Sequence, residues 1–398
     1  MGRAAEFFTP ALSSRCRVRA VIELSASRAG SDRLAASWPA KASATVAALG
    51  KAARMLIGTA PRAVYLPVSQ WGLPLLRDVL LVLLAKSAGS TTVLHLHGAQ
   101  LPTRLAASRA LRASLGGCHW IVLSEAVAEQ LRAAGCRTAS VTVLRNPAPP
   151  PAPPARDLRD PRDLRDLRDS RDSRDSRDSR DSRDSRDPKG FQITWETGDL
   201  RGKRDPRDPR DRRDARESTP SRTLRVGWIG TMSRVKGFDL VCGAVEALKR
   251  QGVGVEFRVA GMRHDVPLSR MACVDEDLGV LDLAEALSFW TTVDVFVLPA
   301  RWVEGLPFVL LEGLQAGCAV AATPSPGSAE LFAQGCVEPV QATAESVAGF
   351  LKACADDLDD IRRRQQKAWE ELRPRYEPDR VIEEFVRFWQ NLGLVPHR

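Results

Sequence analysis

Short apolar runs alternate with longer segments of mixed polarity along the first 150 residues. Buried parallel strands are nearly continuous apolar stretches. The runs therefore predict strands at 18–24, 63–68, 91–97, 120–124 and 141–144. Segments with helical spacing of apolar residues stand between them, such as 75–87 and 125–134. This alternation predicts a parallel sheet with helices on both faces.

The same alternation resumes after residue 222. Strands are predicted at 224–230 and 255–261, with a helix that ends at Lys249 and a second one over 283–290. The last part of the chain is predicted to be helical from 343 to 373. A final amphipathic helix over 380–392 carries its apolar residues at i, i+3, i+4 and i+7. These are Val381, Ile382, Phe385, Phe388, Trp389 and Leu392.

The stretch from 293 to 323 is the most informative part of the pattern. Apolar runs at 293–298 and 319–322 predict two buried strands. Between them apolar residues follow a helical period, with Pro307 suited to the first helical position. Gly317 stands where such a helix would end. The predicted order is strand, loop, helix, strand.

Two carboxylates frame this unit. Glu304 falls in the loop and Glu312 inside the helix, which separates them by roughly 10 Å. That spacing is too wide for the carboxylate pair of a retaining glycosidase. The backbone N–H groups of Gly305 and Leu306, at the expected helix start, predict an anion site between the two carboxylates. A phosphate flanked by hydroxyl-bearing groups describes a sugar nucleotide.

The middle of the chain has a different composition. A Pro-rich start at 147 leads into a long Arg-Asp array with a three-residue period and almost nothing apolar to bury. We expect a disordered linker over 147–222, which divides the chain into domains at 1–146 and 223–398. Arg-rich repeats also bind RNA, and an RNA-associated protein is one alternative function. Each Arg of the array has an adjacent Asp that cancels its charge, which argues against nucleic acid as a partner.

Charge is unevenly distributed. Residues 1–150 carry a net charge of +12 and residues 223–398 a net charge of −6, within a total of +9. The basic first domain suggests an anionic acceptor or an anionic membrane surface as a partner. Apolar runs are too short to cross a bilayer. The eight cysteines show no C-x-x-C pair, which predicts reduced thiols. We expect a cytoplasmic protein, peripheral at most to the inner face of the membrane.

The residues around Glu304 and Glu312, EGLPFVLLEG, resemble the donor-binding signature of the family 4 retaining glycosyltransferases. That resemblance implies the GT-B fold, in which two Rossmann-like domains face a cleft and the last helix crosses back to the first domain. It also implies that Glu304 lies by the donor sugar and that Glu312 holds the ribose hydroxyls. The family needs no bound metal and no cofactor besides its nucleotide-sugar donor.

Two further elements resemble that family. The segment from Gly230 to Lys236 is similar to its strand-turn-KG-helix unit, which implies that Lys236 and the Gly230 turn hold the diphosphate. Thr231 stands where the family has an Arg, and Arg234 is the candidate substitute. The turn HLHGA resembles the family's His-bearing strand end, which implies that His97 faces the donor across the cleft.

The predicted activity is transfer of a hexose from a UDP- or GDP-sugar to an acceptor with retention of configuration. Nothing in residues 1–16 resembles the strand and Gly-rich turn with which the family usually begins. A truncated or inactive relative that binds a sugar nucleotide without turnover is therefore the second alternative.

Overall fold

The computed structural model describes Phe8 and residues 38–59, 61–150 and 223–396, without the side chains at 38–45, 48, 57 and 59. The strand predicted at 18–24 and most of the predicted linker, 151–222, lie outside these described residues. Both of the sheets described below belong to one compact unit.

The described part of the first domain contains a four-stranded parallel sheet in the order β1-β2-β3-β4. Its elements are α1 (Trp38–Thr59), β1 (Ala63–Pro67), α2 (Gly72–Ser87), β2 (Thr91–Leu96), α3 (Leu101–Ala107), α4 (Arg109–Leu115), β3 (His119–Val122), α5 (Glu125–Ala133) and β4 (Ser140–Val143). The four strands predicted from 63 onward are thus present within a residue or two. In the central strand β2 every residue after Thr91 is buried, as expected for a strand covered on both faces.

The second domain contains a six-stranded parallel sheet in the order β10-β9-β8-β5-β6-β7. Its elements are β5 (Leu224–Ile229), α6 (Phe238–Arg250), β6 (Val255–Ala260), β7 (Glu276–Asp277), α7 (Leu283–Phe289), β8 (Val295–Leu298), α8 (Phe308–Gln315), β9 (Ala319–Ala322), α9 (Ala329–Ala333), β10 (Glu338–Pro339), α10 (Ala344–Leu372) and α11 (Pro378–Asn391). The fold-class prediction of two Rossmann-like α/β domains is confirmed.

The order of the second sheet places a crevice beside β5. The chain moves outward from β5 to β6 and β7, then returns to place β8 on the other side of β5. Ligands of open parallel sheets bind at such a reversal, beyond the carboxyl ends of the strands. The loops that follow β5 and β8 both reach this point. They carry Lys236 and Glu304, respectively.

The last helix returns to the first domain. The apolar face of α11, with Val381, Phe385 and Trp389, packs in one cluster with Val93 of β2 and Ile121 of β3. Before it, α10 is kinked at Asp357, where the backbone leaves helical geometry (φ −151°, ψ 73°). The end of the chain therefore belongs to the core of the first domain as well as the second.

Packing continues past the predicted start of the linker. Ala148 is buried among residues of the second domain, and its N–H donates to the Tyr376 carbonyl at 2.7 Å. The prediction of disorder from residue 147 is thus wrong at Ala148, because this backbone group finds a partner beyond α10.

The structure also bears on membrane-spanning segments and thiols. Within the described ranges, no helix is both long enough and apolar enough to cross a bilayer. The seven cysteines in this part of the chain are all buried and free.

A buried carboxylate ties three elements of the second domain together. The side chain of Asp294, just before β8, is 0% exposed. It accepts hydrogen bonds from the Arg225 guanidinium of β5 at 2.8 and 2.9 Å and from Arg362 of α10 at 3.0 Å. Burial by itself raises the pKa of Asp294, but the hydrogen bonds from Arg225 outweigh it and hold the pKa below its ordinary value.

Replacing Asp294 with Asn is expected to lower the free energy of unfolding by about 3 kcal/mol at neutral pH, because two guanidinium groups lose their counter-charge. The pKa of Asp294 is lower in the folded than in the unfolded state. Its stabilising contribution is therefore complete above the unfolded pKa and is lost as the pH falls through the folded one. Urea unfolding should therefore show that, below about pH 4, the unfolding free energy of the variant changes less with pH than that of the natural protein.

The matched control is Asp360→Asn. Asp360 pairs with Arg363 and Arg364 on the exposed side of α10, so its loss should change the unfolding free energy by less than about 0.5 kcal/mol. Equal losses for both variants would contradict the role given to Asp294.

Candidate functional site

Lys236 and Glu304 meet at the crevice. The Lys236 ammonium, in the loop after β5, lies 2.5 Å from the Glu304 carboxylate, in the loop after β8. Their side chains are 37% and 18% exposed, so a ligand could reach them. Residues that the sequence separates by 68 positions therefore form one ion pair at the carboxyl end of the sheet.

A glycine lets these two loops approach. Gly237 has a φ of +82°, and a Cβ placed on it would lie 2.1 Å from the Pro299 carbonyl oxygen. Only glycine meets both conditions without strain. Gly237 is therefore required by the packing of the loop after β5 against the loop after β8.

The remaining residues of the predicted diphosphate turn lie on the surface. Gly230 has a φ of +126°, and its N–H donates to the Ala260 carbonyl. Thr231 and Arg234 are exposed. The Arg234 N–H donates to Asp265, and its carbonyl accepts from Arg301. These bonds fix the backbone at 234.

The helix after Glu304 starts later than predicted. Its first residue is Phe308, and Pro307 is the N-cap with an extended conformation. The prediction of Pro307 at the first helical position is therefore wrong by one residue, and Gly305 and Leu306 precede the N-cap. Leu306 is buried, and its carbonyl accepts from Asn146 at 2.8 Å. At the N-terminus of α8, the N–H groups of the first turn belong instead to Phe308 and the residues after it.

Glu312 lies on the inner face of α8 and is only 5% exposed. Its carboxylate accepts a hydrogen bond from the Trp290 indole N–H at 3.2 Å. The same indole ring packs on Gly313, where a Cβ would lie 3.3 Å from it. Trp290 was not identified from the sequence, since a Trp at the end of a helix gives no signal that it will reach a carboxylate in another element.

The predicted histidine turn holds two imidazole rings in contact. The rings of His95 and His97 are 4.0 Å apart between centroids, and the Tyr65 hydroxyl lies 2.5 Å from His95 Nδ1. Burial lowers the pKa of both histidines, that of His97 to about 3, so both rings are neutral near pH 7. Within the described residues, Nε2 of each ring is buried without a hydrogen-bond partner.

Close backbone contacts bring the histidine turn against the Glu304 loop. A Cβ on Gly305 would lie 1.9 Å from the His97 carbonyl oxygen, and one on Gly327 would lie 2.2 Å from the Gly305 carbonyl carbon. The structure thus assembles three of the predicted segments, at 97, 236 and 304–305, around one point of the junction between the domains.

Ion pairs and hydrogen bonds connect the two domains around this point. Arg145 and Glu330 form a two-bond ion pair at 2.7 and 3.0 Å. Glu330 also accepts from Arg375 and from the Tyr376 hydroxyl. Burial raises the pKa of Glu330, but the Arg145 hydrogen bond and the other donors hold it below its usual value. Ser124 donates to the Pro326 carbonyl at 2.7 Å.

Two tryptophans mark the edge of the site. Trp71, after β1, and Trp302, two residues before Glu304, have ring centroids 4.8 Å apart. Trp71 is 52% exposed. Nothing in the sequence connects these two rings, because they belong to different domains and only the tertiary structure makes them neighbours.

Comparison with known proteins supports the same fold. Residues 223–360 match the family model described as Glycosyl transferases group 1. Over 109 residues the chain is 30% identical to an uncharacterized 42.6 kDa protein in the cps region of Klebsiella pneumoniae. This match covers 27% of the chain and 28% of that protein, so the chain spans less than a third of its curated relative.

Solved structures resemble much more of the chain. Anabaena Alr3699/HepE in complex with UDP superposes with a TM-score of 0.56 and 15% identity, covering 87% of this chain and 82% of that one. An α,α-trehalose-phosphate synthase (UDP-forming) from Burkholderia vietnamiensis gives 0.57 and 12%, covering 88% and 78%. This chain has the GT-B fold. At these identities the similarity concerns the fold alone.

Gly305→Ala tests the backbone contact at the junction. The added methyl group would overlap the His97 carbonyl, so we expect the free energy of unfolding to fall by about 1–3 kcal/mol. The control Gly349→Ala changes an exposed glycine of α10 with open space around it. It should raise the unfolding free energy by about 0.5–1 kcal/mol. Denaturant unfolding of both variants measures the two effects, and an unchanged Gly305 variant would contradict the contact.

Proposed function

We propose that this GT-B protein is a glycosyltransferase that moves a hexose from a UDP- or GDP-sugar to an acceptor with retention of configuration. The observation that carries the proposal is the Lys236–Glu304 ion pair at the carboxyl ends of β5 and β8, beside the histidine turn of the other domain. Structures of Anabaena Alr3699/HepE with UDP and with UDP-glucose support a nucleotide sugar as the donor.

Lys236 would stabilise the departing diphosphate. Negative charge develops on the bridging oxygen as the sugar leaves, and a fixed cation lowers the energy of that state more than that of the bound donor. The ammonium already has a partner in Glu304. The incoming diphosphate would therefore take over Lys236 and release the Glu304 carboxylate toward the sugar.

Backbone groups would complete the anion site. The exposed turn at Gly230, Thr231 and Arg234 borders Lys236 in sequence, and Arg234 is the candidate second cation. The N-terminus of α8 offers N–H groups from Phe308 onward. The backbone of Gly305 and Leu306 would lie next to the donor sugar.

Glu312 would hold the ribose hydroxyls. Two adjacent hydroxyls suit a carboxylate, which accepts through both oxygens. The Trp290 N–H fixes the orientation of the Glu312 side chain before the donor arrives, so less conformational freedom is lost on binding.

His97 would contact the donor sugar as a neutral ring. Its lowered pKa means that it adds no charge to the site, and its buried Nε2 gives it a position for one more hydrogen bond. No group besides the nucleotide sugar takes part in the proposal. In the described ranges no set of three or more His, Cys, Asp and Glu could hold a metal ion.

Isothermal titration with UDP and with GDP tests the donor site. We expect one of the two to bind, and Glu312→Gln to weaken its binding by about tenfold, the size of a hydrogen bond to a charged group. Glu377→Gln is the matched control, because Glu377 pairs with the exposed side chain of Arg373. Absence of binding by either nucleotide to folded protein would overturn the proposal.

Turnover tests the second half of the proposal. Release of UDP or GDP from the sugar nucleotide should fall by about 10²-fold in Lys236→Ala, since one cation at the leaving group is lost. Glu304→Gln should also lower turnover without weakening nucleotide binding, because Lys236 then loses the carboxylate with which the diphosphate competes. Nucleotide binding without any turnover would favour the alternative that the protein is an inactive relative. The anomeric configuration of a product, determined by NMR, shows whether the transfer retains configuration.

A further inference from the structure

An apolar stripe runs along the outer face of α2. Leu73, Leu76, Leu80 and Leu83 are each 41–56% exposed, and their spacing of three and four residues puts them on one side of the helix. Trp71, the N-cap residue of the same helix, is also exposed. We call these five residues the α2 stripe.

The α2 stripe widens into a groove. Leu80 and Leu83 line a groove of about 600 Å³ together with Val46, Leu49 and Ala53 of α1. Val46 is 68% exposed. Contiguous apolar surface of this kind is uncommon on soluble proteins unless it binds something.

The part of the chain that carries the stripe has charges of nearly one sign. Between residues 46 and 118 the chain has eight Lys and Arg and a single acidic residue, Asp78. Asp78 is completely buried and paired with Arg77 at 2.7 Å. Exposed basic side chains on the two helices next to α2 include Lys51 and Arg54 of α1 and Arg109 of α4. The helices that carry them pack directly on α2.

Two occupants could cover such a surface. A second copy of the chain, related by a two-fold axis, would bring these basic side chains against one another, at an electrostatic cost. An anionic bilayer satisfies both features, because its acyl boundary takes leucine side chains and its headgroups attract Lys and Arg. We infer that the α2 stripe and its basic surround dock on an anionic lipid membrane.

Hydrogen bonds tie the loop that carries Trp71 to the first domain. The Ser69 N–H donates to buried Asp78 at 2.7 Å, and the Gln70 side chain accepts from the Gln100 N–H at 2.7 Å. Trp71 is thus held at the end of the stripe, and tryptophan favours the headgroup region of a bilayer. Because Trp71 also contacts Trp302, docking seats the edge of the candidate active site at the membrane surface.

Vesicle co-sedimentation tests the inference with the full chain. The probe is a phosphatidylcholine vesicle with about a third phosphatidylglycerol, compared with pure phosphatidylcholine, at low and high salt. We expect binding to the anionic vesicle that weakens with salt. Leu76→Ser with Leu80→Ser should reduce it by at least about tenfold, because two apolar side chains no longer enter the bilayer.

The matched control changes exposed apolar residues of the second domain, Leu268→Ser with Leu283→Ser, which are 71% and 58% exposed. This control should bind as the natural protein does, and thermal unfolding should show both double variants folded. A second pair of substitutions, Lys51→Gln with Arg54→Gln, should weaken vesicle binding and make the remaining binding less sensitive to salt. Arg363→Gln with Arg364→Gln on α10 should leave both unchanged.

Three outcomes would overturn the inference. They are equal binding to neutral and anionic vesicles, a loss shared by the control variants, or self-association that the stripe variants abolish while vesicle binding is absent. Vesicle binding needs no sugar nucleotide. A protein that does not bind vesicles would therefore contradict membrane docking and not the proposed transfer reaction. A protein that does not bind nucleotides would contradict the transfer reaction and not membrane docking.

Discussion

The structure depends on one steric constraint, which is that two backbones approach where a side chain cannot fit. Gly305 lies against the His97 carbonyl, and Gly327 lies against Gly305. Because these contacts leave no space for a Cβ, the histidine turn of one domain and the Glu304 loop of the other meet directly. The ion pair between Arg145 and Glu330 and the hydrogen bond from Asn146 to Leu306 fasten the same junction.

Around that junction the charged groups already have partners. Lys236 pairs with Glu304, and Glu312 accepts from Trp290. A charge in a partly buried position is costly without such a partner, so the site supplies partners for its own charged groups. A ligand with two phosphates and several hydroxyl groups would replace these partners. The contacts that stabilise the charged groups of the site are therefore the ones that the proposed reaction would use.

Local pattern predicted the elements well because strand and helix periods are set by which faces are buried. The strands at 63–67, 91–96, 224–229 and 319–322 follow from apolar runs, and α11 follows from its helical period. The helix start at Phe308 was mispredicted, because Pro307 suits either the cap or the first turn. The disorder predicted at 147 failed at Ala148, because a distant carbonyl of Tyr376 satisfies its backbone N–H.

The sequence by itself determined the two α/β domains, the segments that carry chemistry and the strongly basic character of the first half, since composition and period are local properties. Only the tertiary structure decided that Lys236 faces Glu304, that Trp290 holds Glu312, and that Trp71 stands beside Trp302. The same holds for the α2 stripe. Its helical spacing is visible in the chain, but apolar residues occupy nearly every position of α2, and exposure depends on which face the neighbouring helices and the sheet cover.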